Sequence, residues 1–397
     1  MQQRKLTILG STGSIGTQAL DVVRHQGGML DVVALSARGT NLELLQAQIE
    51  EFQPSVVHVA DLDAASALSD KLGEEGPEVL TGEEGLVRVA GEIYCHMVVV
   101  ATVGWTGVEP TMAAIEAGRE IALANKEVLV CAGEVVMSRA AEVGVPIWPL
   151  DSEHNAIAQC LAAGPIGPRA PIRRLVLTCS GGPFRNWGRE EIDAAGPERT
   201  LKHPTWEMGR KISVDSATLM NKGFEVIEAH HLFEVPYEKI QVIVHPQSVV
   251  HSMVEFVDGS MIAQMGVTDM RLPIQNVLTY PFRRPAPTEA LNLAEVGKLE
   301  FEDPDMERFP NLGLAYRAGR EGGTAPCALN AANEVAVAAH LENKITCGMI
   351  SRVLQRVMVE HENDRSPTIE TFKTTDRRAR KAAARIVDEF AHVAKQS

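Results

Sequence analysis

A basic excess, paired cysteines and membrane-length apolar runs are all missing from this sequence. Its 397 residues hold 38 Lys and Arg against 52 Asp and Glu, a formal net charge of −14. Without a positive excess, broad binding to nucleic acid or to anionic membrane is disfavoured, because both are polyanions that repel an acidic surface. A small anionic ligand is still allowed, since it needs only a local cluster of donors. No apolar run approaches the roughly 20 residues that a bilayer-spanning helix requires. No apolar stretch follows Met1 either, so a cytoplasmic protein is expected. Cys95, Cys131, Cys160, Cys179, Cys327 and Cys347 form no C-x-x-C pair, which points to reduced thiols rather than a disulfide framework or a zinc knuckle.

What is present is a chain too long for one core, with 45% hydrophobic and 23% charged residues, the balance of a folded globular protein. The expected fold class is α/β, in three parts. Residues 1–150 alternate short apolar runs (Leu6–Leu9, Asp31–Leu35, Ser55–Val59, Met97–Ala101, Glu120–Ala124) with helical stretches (Gly16–His25, Leu42–Phe52, Val108–Ala117). Continuous apolar strands suit a parallel sheet covered on both faces, hence a doubly wound, Rossmann-like domain. Residues 151–283 read as an α+β catalytic domain. Its strand patterns are Ile172–Thr178, Lys239–Val244, Val250–Phe256 and Ser260–Gln264, the last two flanking a hairpin signal at Asp258-Gly259. Residues 284–311 are Pro-rich and then acidic and read as a linker; residues 312–397 read as a helical domain. The basic cluster Arg377, Arg378, Arg380 and Lys381 reads as a solvated helix face.

Three segments carry chemistry. After the first strand comes Gly10-Ser11-Thr12-Gly13-Ser14-Ile15-Gly16 and then an amphipathic helix. That context lets backbone amides at a helix N-terminus meet a pyrophosphate; a plain βα turn is the alternative. The second strand ends at Ser36-Ala37-Arg38 with no acid before Glu43, where an NAD site would place one for the ribose hydroxyl. Arg38, with Ser36 and Asn41, suits a 2′-phosphate, so NADP is expected. Asp151 and Glu153 follow an apolar run at i, i+2; they fit either a hard cation or a helix cap. Asn221, Glu225 and Glu228 share one helix face beside Lys222, with Gly223 inside the helix. Glu225 would supply a third carboxylate, and Ser216, Asn221 and Lys222 donors for a phosphate. Gly223 there implies close approach of a ligand or another backbone. Ser180-Gly181-Gly182 can present a hydroxyl and amides to an anion. Trp206 lies in an aperiodic segment and reads as a lid, and Asn125-Lys126-Glu127 follows the fifth strand at the carboxyl edge.

Together GSTGSIG (10–16), LANKE (123–127), DSEHNAI (151–157), SGGPF (180–184), HPTWEMGRKISVDSATLMNKG (203–223), HPQSVVHSMV (245–254) and ALNAANE (328–334) resemble the 1-deoxy-D-xylulose-5-phosphate reductoisomerase family over nearly the whole chain. The resemblance implies an NADPH- and metal-dependent rearrangement and reduction of 1-deoxy-D-xylulose 5-phosphate to 2-C-methyl-D-erythritol 4-phosphate, by a homodimer. The metal would be Mg²⁺ or Mn²⁺, with Co²⁺ a further candidate, held by Asp151, Glu153 and Glu225. Thr12, Gly13, Ser14, Ile15, Arg38, Asn41, Asn125, Glu127 and Gly209 would bind cofactor. Lys126, Ser152, Glu153, Ser180, His203, Trp206, Ser216, Asn221, Lys222 and Glu225 would meet the substrate, with Lys126, Glu153 and His203 closest to the chemistry. His154, His245 and His251 are equally compatible with a chemical and a structural role. The rival readings are an NADP-dependent semialdehyde or sugar-phosphate dehydrogenase without rearrangement, and a catalytically silent NADP sensor.

Overall fold

The computed structural model describes residues 3–163, 171–202 and 208–394. Packing divides the chain into two compact units. One comprises Met1–Val128, Val136–Asn155 and Asp269–Ala290; the other comprises Leu129–Val135, Ala156–Thr268 and Leu291–Ser397. The chain thus crosses between units more often than the expected boundaries at 150, 283 and 311 imply. The segment from Asp269 to Ala290 packs in the first unit, and the C-terminal helices share a core with the second sheet.

The first unit is a seven-stranded, all-parallel sheet. Its strands are β1 (Arg4–Leu9), β2 (Leu30–Ala37), β3 (Val56–Val59), β4 (Glu78–Thr81), β5 (Met97–Val100), β6 (Glu120–Leu123) and β7 (Ile147–Pro149). Their spatial order is β4-β3-β2-β1-β5-β6-β7. The order reverses between β1 and β5, the switch point at whose carboxyl edge open α/β sheets take ligands. The connecting helices are α1 (Ser14–Gln26), α2 (Leu42–Phe52), α3 (Leu62–Leu72), α4 (Gly82–Gly91), α5 (Val108–Glu116) and α6 (Glu127–Val143), followed by α7 (Ser152–Ala162). Five strands were predicted. β4 is short and polar at its first residue, which hides the apolar-run signal, and β7 was visible only as the apolar run before Asp151. Leu6, Ile8, Leu20, Leu35, Leu45, Val57 and Met97 form the core on which the sheet's carboxyl edge is carried.

The second unit holds α8 (Arg189–Ala194), α9 (Pro197–Thr200), α10 (Arg210–Ala217), α11 (Met220–Phe233) and a mixed four-stranded sheet. Its strands β8 (Ile172–Cys179), β9 (Ile240–Val244), β10 (Val250–Phe256) and β11 (Met261–Met265) lie in the order β11-β10-β8-β9. β8 and β9 are parallel; β10 runs antiparallel to both β8 and β11. Gly259, at φ +85°, turns the predicted hairpin, and Asp258 Oδ1 accepts from the Ser260 amide at 2.9 Å, so the connection is four residues long rather than two. Helix α12 (Arg271–Leu278) packs in the first unit. Short α13 (Leu293–Val296) precedes α14 (Pro310–Glu321), α15 (Ala325–Leu341), α16 (Cys347–Glu360) and α17 (Ile369–Ala394), the predicted helical end. The six cysteines are free thiols, five of them buried. Among the described residues no helix is long and apolar enough to cross a membrane. Of the basic cluster, Arg377, Arg378 and Lys381 are exposed as expected, while half-buried Arg380 pairs with Asp376 at 2.7 Å and with Glu334 at 2.5 Å.

Candidate active site

In the first unit the functional residues emerge from consecutive strand ends. β1 runs into Gly10, which sits at φ +90°, where a Cβ would lie 2.5 Å from the Ala101 carbonyl oxygen. A Cβ on Gly16 would lie 2.2 Å from Gly10 O, so the loop closes this tightly only with glycine at both positions. Gly13 is the N-cap of α1 and offers no side-chain acceptor, which leaves the first-turn amides for an anion. Ser11 Oγ is fully buried and has no partner among the described residues. An uncapped helix start behind a glycine turn fits a pyrophosphate, with Gly13 and Ser14 exposed between half-buried Thr12 and Ile15. Arg38 is exposed at the end of β2, and Asn41 Oδ1 caps α2 by accepting from the Leu44 amide at 3.1 Å. Asn41 therefore orders the loop that carries Arg38.

β6 delivers Asn125, Lys126 and Glu127, all buried. Asn125 Nδ2 donates to Gly104 O at 3.0 Å and so ties the β6 end to the loop after β5. β7 delivers Asp151 and Glu153. Lys126 Nζ lies 2.6 Å from Asp151 Oδ2, with both side chains less than one-tenth exposed. His154 Nδ1 is 3.2 Å from Asp151 Oδ1, and Ser152 Oγ hydrogen-bonds Glu153. Because β1, β5, β6 and β7 are neighbours, the glycine loop and this Lys–Asp pair lie along one sheet edge, three strand spacings or about 15 Å apart.

In the second unit β8 ends in Ser180-Gly181-Gly182. Gly181 and Gly182 have φ +83° and +68°, and a Cβ on Gly182 would lie 2.7 Å from Ser216 O. This loop is therefore pressed on the end of α10, with Gly182 against Ser216 and its amide donating to Ser180 Oγ at 3.1 Å. The helix that carries Asn221, Glu225 and Glu228 is separated from α10 by a break at Thr218-Leu219. Leu219 is buried at φ +58°, a left-handed conformation disfavoured for a branched side chain, and α11 restarts after it with no side-chain cap. Its first turn presents Asn221 and Lys222. Asn221 Nδ2 donates to Glu225 Oε1 at 2.5 Å, and Lys222 Nζ bonds the other Glu225 oxygen in a pair that is almost wholly buried. Buried carboxylates persist only with cationic or donor partners. Asp151 and Glu225 each have a lysine within their own unit, and each offers the hard oxygen donors that a Mg²⁺-like ion prefers.

Of the two close approaches expected at Gly223, the structure shows the one by another chain segment: a Cβ there would lie 2.4 Å from Ala315 Cβ, so glycine lets α14 pack on α11. His245 is structural. Its Nε2 accepts from the Val249 amide at 3.3 Å while Nδ1 donates to Glu300 O at 2.9 Å, which fixes the orientation of the ring. Burial, the largest cause, holds the His251 pKa below the usual histidine value, against backbone hydrogen bonds at Val267 and Gly266 that raise it. Gly209 is the N-cap of α10. His203 and Trp206 lie outside the described residues. Sequence reasoning missed Asp215, one residue from Ser216 and buried. It accepts from Asn333 Nδ2 at 2.7 Å and pairs with Lys211 at 3.0 Å. The Lys211–Asp215 spacing of i, i+4 was a readable signal; the Asn333 contact, 118 residues away, was not.

Family models for 1-deoxy-D-xylulose 5-phosphate reductoisomerase match residues 6–133, and models for that family's C-terminal domains match 147–233 and 265–382. The chain is 50% identical over 385 residues to 1-deoxy-D-xylulose 5-phosphate reductoisomerase of Geobacter sp. (strain M21), covering 97% of this chain and 99% of the relative. It is likewise 50% identical to that of Chlorobaculum tepidum, over 97% and 100% of the two chains. The Zymomonas mobilis enzyme solved in complex with NADPH superimposes with a TM-score of 0.90 at 40% identity, covering 97% of this chain and 99% of that one. A DOX-P reductoisomerase solved with NADPH, fosmidomycin and magnesium gives 0.90 at 40% identity, over 97% and 98%.

Proposed function

This chain belongs to the 1-deoxy-D-xylulose 5-phosphate reductoisomerase family, and from that premise we propose which of its residues perform the family's reaction. The chain is an NADP-dependent reductoisomerase. It converts 1-deoxy-D-xylulose 5-phosphate to 2-C-methyl-D-erythritol 4-phosphate with NADPH and a divalent metal ion, in isoprenoid synthesis. The observation that carries the residue assignment is the Lys126–Asp151 pair on the same sheet edge as the uncapped glycine loop. It supports a cation-dependent centre beside the dinucleotide's path.

The uncapped start of α1, from Thr12 to Ile15, takes the pyrophosphate, while Arg38 and Asn41 take the 2′-phosphate. Asn125, Glu127 and Gly209 complete the cofactor contacts. Asp151 and Glu153 of the first unit and Glu225 of the second are the proposed metal ligands. The metal supplies Lewis-acid stabilisation of the substrate's adjacent carbonyl and hydroxyl oxygens. Lys126, buried and cationic beside Asp151, steadies negative charge on the reacting oxygens or returns a proton to them. Ser152 orients Glu153 through their hydrogen bond. Ser180, Ser216, Asn221 and Lys222 grip the phosphate, which is remote from the reacting carbons, so that its binding energy can order the reacting end. His203 and Trp206 are proposed to close over the substrate. By role, residues 1–150 bind cofactor, 151–283 carry the catalytic groups and 312–397 form the helical end. Mn²⁺ in place of Mg²⁺, a homodimer and a cytoplasmic location belong to the same reading, as do the absence of a nucleic-acid partner and of a membrane association.

The test is NADPH oxidation with 1-deoxy-D-xylulose 5-phosphate, in Mg²⁺ against EDTA, with the product identified. Oxidation with Mg²⁺ that EDTA abolishes, yielding the branched polyol phosphate, is expected. Oxidation that EDTA does not touch, or an unrearranged product, would return the reading to a simple dehydrogenase.

A further inference from the structure

Gln48 lies in the middle of α2, is 4% exposed, and cannot reach a ligand from the core. Its Nε2 donates to the carbonyl of Ser11, inside the glycine loop, at 3.0 Å. The amides of Ser11 and Gly10 donate in turn to Ser36 O, at 2.8 and 2.9 Å. The peptide groups around Ser11 are thus held from two sides, by the end of β2 and by α2. Residues 37–41, which carry Arg38 and the Asn41 cap, run between those same two anchors. Ser36 is braced in its turn: its hydroxyl donates to His58 Nδ1 at 3.1 Å, and His58 Nε2 donates to Gly82 O at 2.9 Å.

Stability alone does not account for a glutamine here. Gln48 Oε1 is buried with no partner among the described residues, and an unpaired buried acceptor is unfavourable. A thioether of the same length would remove that atom and keep the packing. What the thioether could not do is hold the Ser11 carbonyl.

We propose that Gln48 is a positioning residue that fixes the spacing between the pyrophosphate loop and the 2′-phosphate loop, and so sets the preference for a 2′-phosphorylated cofactor. This rests on the cofactor contacts assigned under Proposed function. The consequence is specific: a ligand that engages both loops depends on their spacing, and a ligand that engages one does not.

The experiment is calorimetric binding of adenosine 2′,5′-bisphosphate, adenosine 5′-monophosphate and adenosine 2′-monophosphate to the wild type and to Gln48→Met. Losing the single clamp should weaken the bisphosphate by about tenfold, the equivalent of one buried hydrogen bond, and each monophosphate by less than about twofold. Gln48→Glu, which keeps the shape but turns an acceptor toward Ser11 O, should reproduce the pattern and stands in if the first variant does not fold. The NADPH-to-NADH ratio of KM values should narrow in parallel. Unchanged bisphosphate binding overturns the proposal. Equal weakening of all three ligands overturns it too, because that marks damage to the glycine loop and not to the spacing. A wild type that binds the bisphosphate no more tightly than the 5′-monophosphate would instead sink the 2′-phosphate assignment of Arg38 and Asn41.

Discussion

Replacing Gly223 by alanine separates two explanations of a glycine inside a functional helix. In a helix interior, Gly→Ala ordinarily gains about 1 kcal/mol of stability from lower backbone entropy in the unfolded chain. Gly223 has an ordinary helical backbone, so nothing in its own conformation forbids that gain. The obstacle is Ala315 of α14, whose Cβ would be 2.4 Å from the new methyl. A methyl–methyl contact needs roughly 3.5–4 Å, so the helices must part by more than an ångström. Ala315 cannot turn aside, because its methyl is attached directly to the backbone and is fully buried. Overpacking of this kind costs about 1–3 kcal/mol, and with no rotamer to relax into, the upper part of that range applies. The net expectation is a loss of about 1–2 kcal/mol, measured by urea unfolding followed by far-UV circular dichroism. The double variant Gly223→Ala/Ala315→Gly moves the methyl to the facing helix and should recover most of the loss, leaving a favourable coupling of about 1 kcal/mol or more. A Gly223→Ala protein of unchanged or higher stability, with a raised KM for the phosphorylated substrate, would refute this packing argument. It would return Gly223 to a ligand-approach role.

Asn333→Leu should destabilise by about 1–3 kcal/mol, because Asp215 then keeps a buried carboxylate with one partner fewer. Since Asp215 adjoins Ser216, the KM for the phosphorylated substrate should rise while NADPH binding holds; an unchanged KM would show that the pair only supports the core. Glu225→Gln should shift the Mg²⁺ dependence of turnover to higher concentration and leave NADPH binding, read by its fluorescence, nearly intact; ordinary turnover at low Mg²⁺ would remove Glu225 from the metal set. His58 is buried and neutral, and burial holds its pKa below the usual value near 6.5. Its contribution is therefore complete above about pH 6.5, where the unfolded histidine is also neutral. It is lost as pH falls toward the depressed folded pKa, because the unfolded chain takes up a proton that the folded chain resists. The slope from this one group cannot exceed about 1.4 kcal/mol per pH unit. His58→Gln should flatten the fall in urea midpoint between pH 7.5 and 5.5, and an identical fall in both proteins would refute the assignment.

Which features could be read in the sequence follows from the range of the forces behind them. The glycine loop and the parallel strands were legible because their signals are local: strand, tight turn and helix follow one another within some twenty residues from Arg4 to Gln26. Asp151, Glu153 and the 221–228 helix face were legible as chemistry for the same reason, since charge clusters declare themselves by spacing. β4 escaped because its partner β3 supplies the burial that its own four residues do not announce. The break at Leu219 escaped because the helical pattern continues across it, and only tertiary packing holds a leucine at φ +58°. The exchange of segments at 129–135 and 269–290 escaped because apolar residues show that they will be buried, but not against what. Gly223 makes the point most clearly. Its sequence neighbours Lys222 and Glu225 argue for a ligand, while the atom that requires glycine belongs to Ala315, some ninety residues on. Gln48 and Ser11, and Asp215 and Asn333, are likewise joined only by the fold. Local spacing therefore pointed to the groups proposed to touch ligands, and the groups that hold them in place became visible only when distant segments were brought together.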